Sequence, residues 1–290
     1  MTGPLRHLAH LPAPLAAEIA ARAAFRLGRR AAVRPHEREV HESSHRSTTR
    51  HLRRATNHRP VDVVVHTWGE PDAPAVLLVH GWQSRAAFFA PLVGDLVAAG
   101  RRVVGYDAPG HGDSGGTHRT LADDVAIVRR LSEAEPDAWE GVVAHSAGVL
   151  AAGVALAGGV PAHRFAALAG ISSATAINDG FFALSGTPRT LRTRYDDAVR
   201  RRWFPGEPDF AEHYDLTRRP VPAGVPVLFV HDAEDKRVLH SQSELMLAAH
   251  ADSAELVTTT GLGHNRIVRD AGVRRRVVEH ITAVKPSHLP

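Results

Sequence analysis

The stretch "VVAHSAGVL" at residues 142–150 holds the serine best placed to act as a nucleophile. Two β-branched residues lead into Ala144, His145, Ser146, Ala147 and Gly148, and apolar residues follow. A serine at the junction of a strand and a helix sits in a sharp turn. Its hydroxyl is raised above the sheet, close to the amides of a helix N-terminus. The spacing is that of G-x-S-x-G with alanine in the first position. Strand and helix backbones pass close together there, so the flanking side chains must be small. Ala144 meets that need with one extra methyl, and Gly148 supplies the other side.

Serine alone is a weak nucleophile and needs a base, which an acid must orient. In sheets of this type the order along the chain is Ser, then acid, then His. Downstream, "PVLFVHDAEDKRV" offers Asp232, Glu234 and Asp235 at the end of a strand. Further on, "TTTGLGHNRIV" places His264 in a glycine-rich turn before the last helix. Upstream, "LLVHGWQS" ends a strand in His80, Gly81 and Trp82. The amides of Trp82 and Ala147 are the candidate donors to an oxyanion, and one such donor is worth roughly a hundredfold to a thousandfold in rate.

These residues need a scaffold that brings strand ends together. From residue 61 the chain reads as short valine-rich runs: "VDVVVHTW", "AVLLVHG", "RRVVGYD", "GVVAHS", "FAALAGIS", "PVLFVHD" and "AELVTTT". Most are continuously apolar, as strands buried on both faces of a parallel sheet are. Helical stretches lie between them at 84–99, 120–134, 147–158, 240–250 and 265–283. This alternation predicts an open, mostly parallel α/β sheet with helices on both faces, whose ligands gather at the C-terminal strand ends. About 50 residues part the strand near 165–172 from that near 226–231, too many for a structureless loop, so they predict a helical cap. The expected division is a basic N-terminal helical arm over 1–60, a core over 61–173 and 223–290, and a cap over 174–222. In the arm, residues 14–27 read as a helix with Leu15, Ile19, Ala23 and Leu27 on one stripe, packed beside the cap or core to help close the site.

With these blocks in view, the chain resembles the α/β-hydrolase family, specifically its capped, serine-nucleophile, esterase-like bacterial members. The resemblance rests on "HGW" at 80–82, "DAPGHGDS" at 107–114, "AHSAG" at 144–148, "HDAEDKRV" at 231–238 and "GLGHNRI" at 261–267, in family order. It implies a three-layer α/β-hydrolase fold over residues 60–285. Setting "HDAEDKRV" against the family's G-x-x-D-x-x-V implies Asp235 as the acid, with Val238 at the last position and Asp232 where the family has glycine. It further implies Ser146 as nucleophile, His264 as base, and Trp82 and Ala147 as oxyanion donors. No cofactor and no metal are implied. Serine rather than aspartate at the elbow argues against haloalkane dehalogenase and epoxide hydrolase chemistry. Acyl transfer on a small-molecule ester is therefore expected, with carbon–carbon, thioester, lactone and acyltransferase reactions open within the same fold. Phe181, Phe182, Trp203 and Phe204 of the cap are candidates to line an acyl pocket. Asp107 is expected to tie down a loop, His145 to point away from the serine, and His80 and His111 to support the oxyanion loop.

A second motif competes. "HESSHRSTTRH" at 41–51 matches H-E-x-x-H with a further histidine six residues on, the ligand spacing of a zinc protease. Its context fails. Thr48 stands where a glycine must turn the chain, the segment is polar on all sides, and the only methionines are Met1 and Met246.

Composition bounds the alternatives. The 290 residues suffice for one large domain, and the absence of cysteine excludes disulfides, thiolate catalysis and Cys-ligated metals. The net charge of +4 is uneven: residues 1–60 carry twelve arginines against four glutamates. Phe25 is the only aromatic residue in that arm, so it lacks a stacking platform and no nucleic-acid partner is expected. A non-catalytic scaffold or RNA-associated role for the arm is the reading from another class. No apolar run approaches the ~18 residues that cross a bilayer. Prolines and Glu18 break up the first 30 residues as a signal peptide, so a cytoplasmic monomer or homodimer is the expectation.

Overall fold

The computed structural model describes residues 3–52, 60–207, 209–250 and 253–283. The elements run in chain order as α1 (Ala13–Ala24), α2 (Arg38–Ser43), β1 (His45–Leu52), β2 (Pro60–Trp68), β3 (Ala75–Val79), α3 (Ala90–Ala98) and β4 (Arg102–Tyr106). Then come α4 (Leu121–Glu133), β5 (Gly141–His145), α5 (Ala147–Ala157), β6 (Phe165–Leu168), α6 (Ala174–Ser185), α7 (Arg192–Trp203) and α8 (Phe210–His213). The chain closes with β7 (Val227–Asp232), α9 (Ser241–Ala249), β8 (Ala254–Thr259), α10 (Gly263–Arg266) and α11 (Ala271–Thr282).

The valine-rich runs form one eight-stranded sheet in the order β1-β2-β4-β3-β5-β6-β7-β8. Pairing is parallel from β4 through β3 to β8, while β2 runs antiparallel to both β1 and β4. The continuous apolar runs have the expected cause. Val76, Leu78, Val143, Ala166, Leu228 and Val230 face one cluster with α3 and α11. Leu77, Val79, Val142, Ala144, Ala167 and Phe229 face the other, with α4, α5 and the helices between β6 and β7. Each core strand thus alternates between two apolar layers rather than between core and water.

Two features of the first 60 residues differ from expectation. Residues 45–52 are not part of a helical arm but an edge strand of the sheet, in register from His45 opposite Thr67 to Leu52 opposite Pro60. Its sequence, "HRSTTRHL", is polar because an edge strand has one neighbour and an open side, where charged side chains discourage further pairing. Helix α1 also buries another face than expected. Ala16, Ala17, Ala20 and Ala21 are buried against α7, while Leu15 is exposed. Small side chains let the two helix backbones approach closely, and the larger Leu15 does not fit that seam. The arm continues across α7: Phe25 stacks on Trp203 at 4.7 Å between ring centroids, a geometry worth about 0.5–1.5 kcal/mol beyond burial. It then crosses to the core, where Arg30 donates to the carbonyls of Gly112 (3.0 Å) and Gly116 (3.1 Å). Residues 53–59 of the expected arm and 284–290 of the expected core lie outside the described residues.

Candidate active site

Ser146 stands between β5 and α5 with φ 57° and ψ −125°, a left-handed conformation that costs a non-glycine residue of order 1–3 kcal/mol. The sheet and helix hold it there. Its amide donates to the Leu168 carbonyl at 3.0 Å, and its carbonyl accepts from Val149 at 3.0 Å. Close approach on both flanks explains two glycines. A Cβ on Gly148 would lie 2.4 Å from the Val79 carbonyl oxygen, and one on Gly81 would lie 2.9 Å from the Ser146 Cβ. Ala144 pairs with Val79 on one side and Ala167 on the other, and its methyl is fully buried in the layer beneath α5. Ala144→Gly should therefore keep kcat/KM within about twofold while losing roughly 0.5–1 kcal/mol of stability to backbone entropy. Ala144→Val should overpack the site by about 1–3 kcal/mol, displace Ser146 and cut kcat/KM tenfold or more. Thermal melts and ester kinetics on the two variants check this, and a fully active Ala144→Val would show that the position tolerates bulk.

Three side chains from three connections meet above the strand ends. His264 Nε2 is 2.9 Å from Ser146 Oγ, and His264 Nδ1 is 2.7 Å from Asp235 Oδ2. Asp235 follows β7 and is fully buried. Its Oδ1 accepts from the amides of Arg237 (2.8 Å) and Val238 (3.1 Å). Burial alone would raise its pKa, but hydrogen bonds from His231, His264 and the Arg237 amide hold the carboxyl well below the usual carboxylate range. It is an anion at neutral pH.

Asp232, the other carboxylate of the same turn, does not touch His264. It accepts from the Thr259 hydroxyl (2.8 Å), the Leu262 amide (2.9 Å) and the Glu234 amide (3.1 Å). Against the opposing effect of burial, the Leu262 amide and the Thr259 hydroxyl keep its pKa below the ordinary value. Asp232 thus fastens the turn that carries His264 to the end of β7.

The loop after β3 is braced by buried imidazoles. His80 Nδ1 donates to the Gly81 carbonyl (2.7 Å) and its Nε2 accepts from the Ala108 amide (3.0 Å). His111 Nε2 accepts from the Gln83 amide (3.0 Å), and Asp107 accepts from the amides of Ala86 and Asp113, each at 2.8 Å. His145 points away from the serine and donates from Nε2 to the backbone carbonyl of His264 at 2.8 Å. Burial pushes His111 and His145 each down to about 3, so both stay neutral and keep one donating and one accepting nitrogen. Among the described residues, the amides of Trp82 and Ala147 make no recorded hydrogen bond.

Sequence reasoning overlooked Arg119. It is buried, pairs with Asp124 at 2.6 Å, and donates to the carbonyls of Gly81 (2.7 Å) and His80 (2.9 Å). Nothing in its local sequence marks this role, because the two carbonyls it holds lie 38 and 39 residues upstream.

The aromatic residues of the segment between β6 and β7 pack on neighbouring rings. Phe181 and Phe182 pack on Tyr195 of α7, with centroids 5.6 Å and 5.0 Å apart. Trp203 lies against Phe25 and His118, and Phe204 against Phe210 at 4.2 Å. Among the described residues no ring contact joins these four to His264, whose ring neighbour is His145. The zinc-protease motif is also dispersed. His41 and Glu42 lie on α2, His45 begins β1, and His51 reaches Asp123 at 2.9 Å. Ligand atoms of His41, His66 and Asp113 do come within 4.8 Å of one another. There, however, Arg46 bonds His41 at 2.9 Å and Arg85 bonds Asp113 at 2.9 Å, so arginine charge already occupies the cluster. Among the described residues no helix is long and apolar enough to cross a membrane.

The chain is similar to known proteins in sequence and in fold. Residues 76–277 fit the family model described as "Alpha/beta hydrolase family". An uncharacterized protein of Mycobacterium tuberculosis is 27% identical over 223 residues, covering 74% of this chain and 73% of that protein. A pimeloyl-[acyl-carrier protein] methyl ester esterase of Xanthomonas oryzae is 28% identical over 145 residues, covering 50% of this chain and 47% of the esterase. Among solved structures, an esterase of Pyrococcus furiosus superposes with a TM-score of 0.63 at 17% identity, covering 90% of this chain and 97% of that one. A thioesterase domain from the curacin biosynthetic pathway superposes with a TM-score of 0.59 at 19% identity, covering 82% and 99%. With that family model spanning well over half of the sequence, the chain belongs to the alpha/beta hydrolase family.

Proposed function

We propose that this protein is a serine hydrolase that cleaves a carboxylic ester of a small or medium acyl substrate through an acyl-enzyme. The observation that carries the reading is the chain of two short hydrogen bonds, Ser146 Oγ to His264 Nε2 at 2.9 Å and His264 Nδ1 to Asp235 Oδ2 at 2.7 Å. A base within hydrogen-bond reach of a hydroxyl, itself oriented by an ionised acid, is what nucleophilic serine chemistry requires.

Ser146 Oγ attacks the ester carbonyl as His264 Nε2 takes its proton. The imidazolium is held by Asp235, and the oxyanion accepts from the amides of Trp82 and Ala147. Collapse of the tetrahedral intermediate breaks the carbon–oxygen bond, and His264 returns the proton to the departing alcohol. Water, deprotonated by the same imidazole, then releases the acid and restores Ser146. The conformation at Ser146 suits this role, since a strained backbone at a turn is retained where it aims a functional group. The Xanthomonas relative, whose name gives a methyl ester as its substrate, supports ester over carbon–carbon cleavage. In this reading Phe181, Phe182, Trp203 and Phe204 shape the acyl pocket from behind, by fixing the cap and the arm over the strand ends.

A series of p-nitrophenyl esters from acetate through butyrate and octanoate to palmitate tests the reading. Turnover should be greatest among the short and medium chains and fall for palmitate. Absence of turnover across the series, with no uptake of a fluorophosphonate, would overturn it.

A further inference from the structure

We propose that His231 is a positioning residue for Asp235, a second imidazole set beside the same carboxylate oxygen that orients His264, with the Val238 carbonyl fixing its tautomer and Ser243 holding its other nitrogen. The proposal rests on the serine-hydrolase reading above and adds residues to its hydrogen-bonded chain.

His231 occupies the penultimate position of β7, where the preceding residues are Leu, Phe and Val and every one is buried. An apolar side chain would satisfy packing there, and burying an imidazole costs least when both its nitrogens are bonded. They are. Nε2 lies 3.0 Å from the Val238 carbonyl oxygen and 3.4 Å from Asp235 Oδ2, and Nδ1 lies 2.6 Å from Ser243 Oγ of α9. A carbonyl only accepts, so Nε2 carries the hydrogen and donates it to Val238, with the Asp235 carboxylate oxygen alongside at 3.4 Å. Nδ1 is then an acceptor, and the Ser243 hydroxyl donates to it. His231, Ser243 and the Asp235 side chain are all closed to solvent.

The consequence lies at Asp235. Its Oδ1 is pinned by the amides of Arg237 and Val238. Oδ2 would have His264 as its one remaining imidazole partner without His231. With His264 bonded to Oδ2 and the N–H edge of His231 set 3.4 Å from the same oxygen, the carboxylate is held against swinging about its Cβ–Cγ bond as His264 gains and returns a proton. The chain of contacts therefore runs from Ser243 through His231, Asp235 and His264 to Ser146. No motif announces the outer two residues. Val238 closes a turn that returns its carbonyl to the strand end, and α9 brings Ser243 from the following connection.

The test compares His231→Leu, His231→Gln and Ser243→Ala in the full-length protein. Readouts are p-nitrophenyl butyrate kinetics, the rate of fluorophosphonate labelling of Ser146, and thermal melting. Glutamine places an amide N–H near the position of Nε2, whereas leucine fills the space without a donor. His231→Leu should lower kcat and the labelling rate about tenfold or more with KM within about twofold, and His231→Gln should recover most of the loss. Ser243→Ala, which leaves the core volume nearly unchanged, should give a smaller fall in kcat in the same sense. If leucine and glutamine lower kcat equally and in step with a loss of thermal stability, His231 is a packing residue and the proposal is wrong. Wild-type labelling in all three variants would overturn it too. Asp235→Asn serves as the control on the underlying reading. If it labels at the wild-type rate, the triad itself fails. If it is inert while His231→Leu labels normally, only the role of His231 fails.

Discussion

Ser146→Ala should lose ester turnover by about a millionfold and take up no fluorophosphonate, while folding as the wild type does. The size follows from the proposed mechanism, in which His264 and Asp235 act only through the Ser146 hydroxyl, so its removal would silence all three together. What rate survives would come from the amides of Trp82 and Ala147 polarising a bound carbonyl for attack by water. The fold should be indifferent, because Ser146 contributes its backbone to the elbow and its hydroxyl to His264 alone. A second variant isolates the backbone. Ser146→Gly removes the same hydroxyl but also the Cβ that makes φ 57° costly. It should be as inactive as Ser146→Ala and melt at a higher temperature. Labelling of Ser146→Ala by the probe would place the nucleophile elsewhere and remove the basis of the proposed function.

Much of this was legible because its signals are local. The doubly buried strands announced themselves by unbroken apolar runs, and the helices by their position between them. Ser146 and His264 could be named because each sits in a turn whose glycines and small residues are demanded by backbone contacts nearby, as Gly148 shows against Val79. What escaped the sequence is what the fold assembles at a distance. The polar edge strand at 45–52 carries no apolar period, and its buried partner for His51 is Asp123, 72 residues on. The seam between α1 and α7 is built of alanines, while a hydrophobicity pattern gives most weight to Leu15, which points outward. Arg119 grips two carbonyls of the loop after β3 from the connection between β4 and α4. The aromatic residues between β6 and β7 illustrate the converse. Their apolar character was plain, but whether such rings face a substrate or one another depends on helix packing that no local pattern encodes.

The two carboxylates of "HDAEDKRV" should separate cleanly under amide substitution, and by different measurements. Asp235→Asn should cost about four orders of magnitude in kcat, because an amide nitrogen facing His264 Nδ1 favours the wrong tautomer and cannot stabilise the imidazolium. Asp232→Asn should act on stability instead. The Thr259 hydroxyl and the amides of Leu262 and Glu234 all donate to Asp232, so an amide has one acceptor oxygen for three donors. That mismatch should cost about 1–3 kcal/mol and loosen the turn before His264, lowering kcat far less than Asp235→Asn does. The pH dependence distinguishes them again. Because Asp232 is held below the ordinary carboxylate pKa, its stabilisation is present above that ordinary value and is lost as pH falls through the lowered folded one. Melting temperature should therefore drop less steeply with acidification in Asp232→Asn than in the wild type. Urea and thermal melts across the acid range, beside single-turnover kinetics at neutral pH, make the comparison. If Asp232→Asn were the inactive variant and Asp235→Asn the merely unstable one, the acid that orients His264 would have to be reassigned, and the chain of contacts from Ser243 to Ser146 with it.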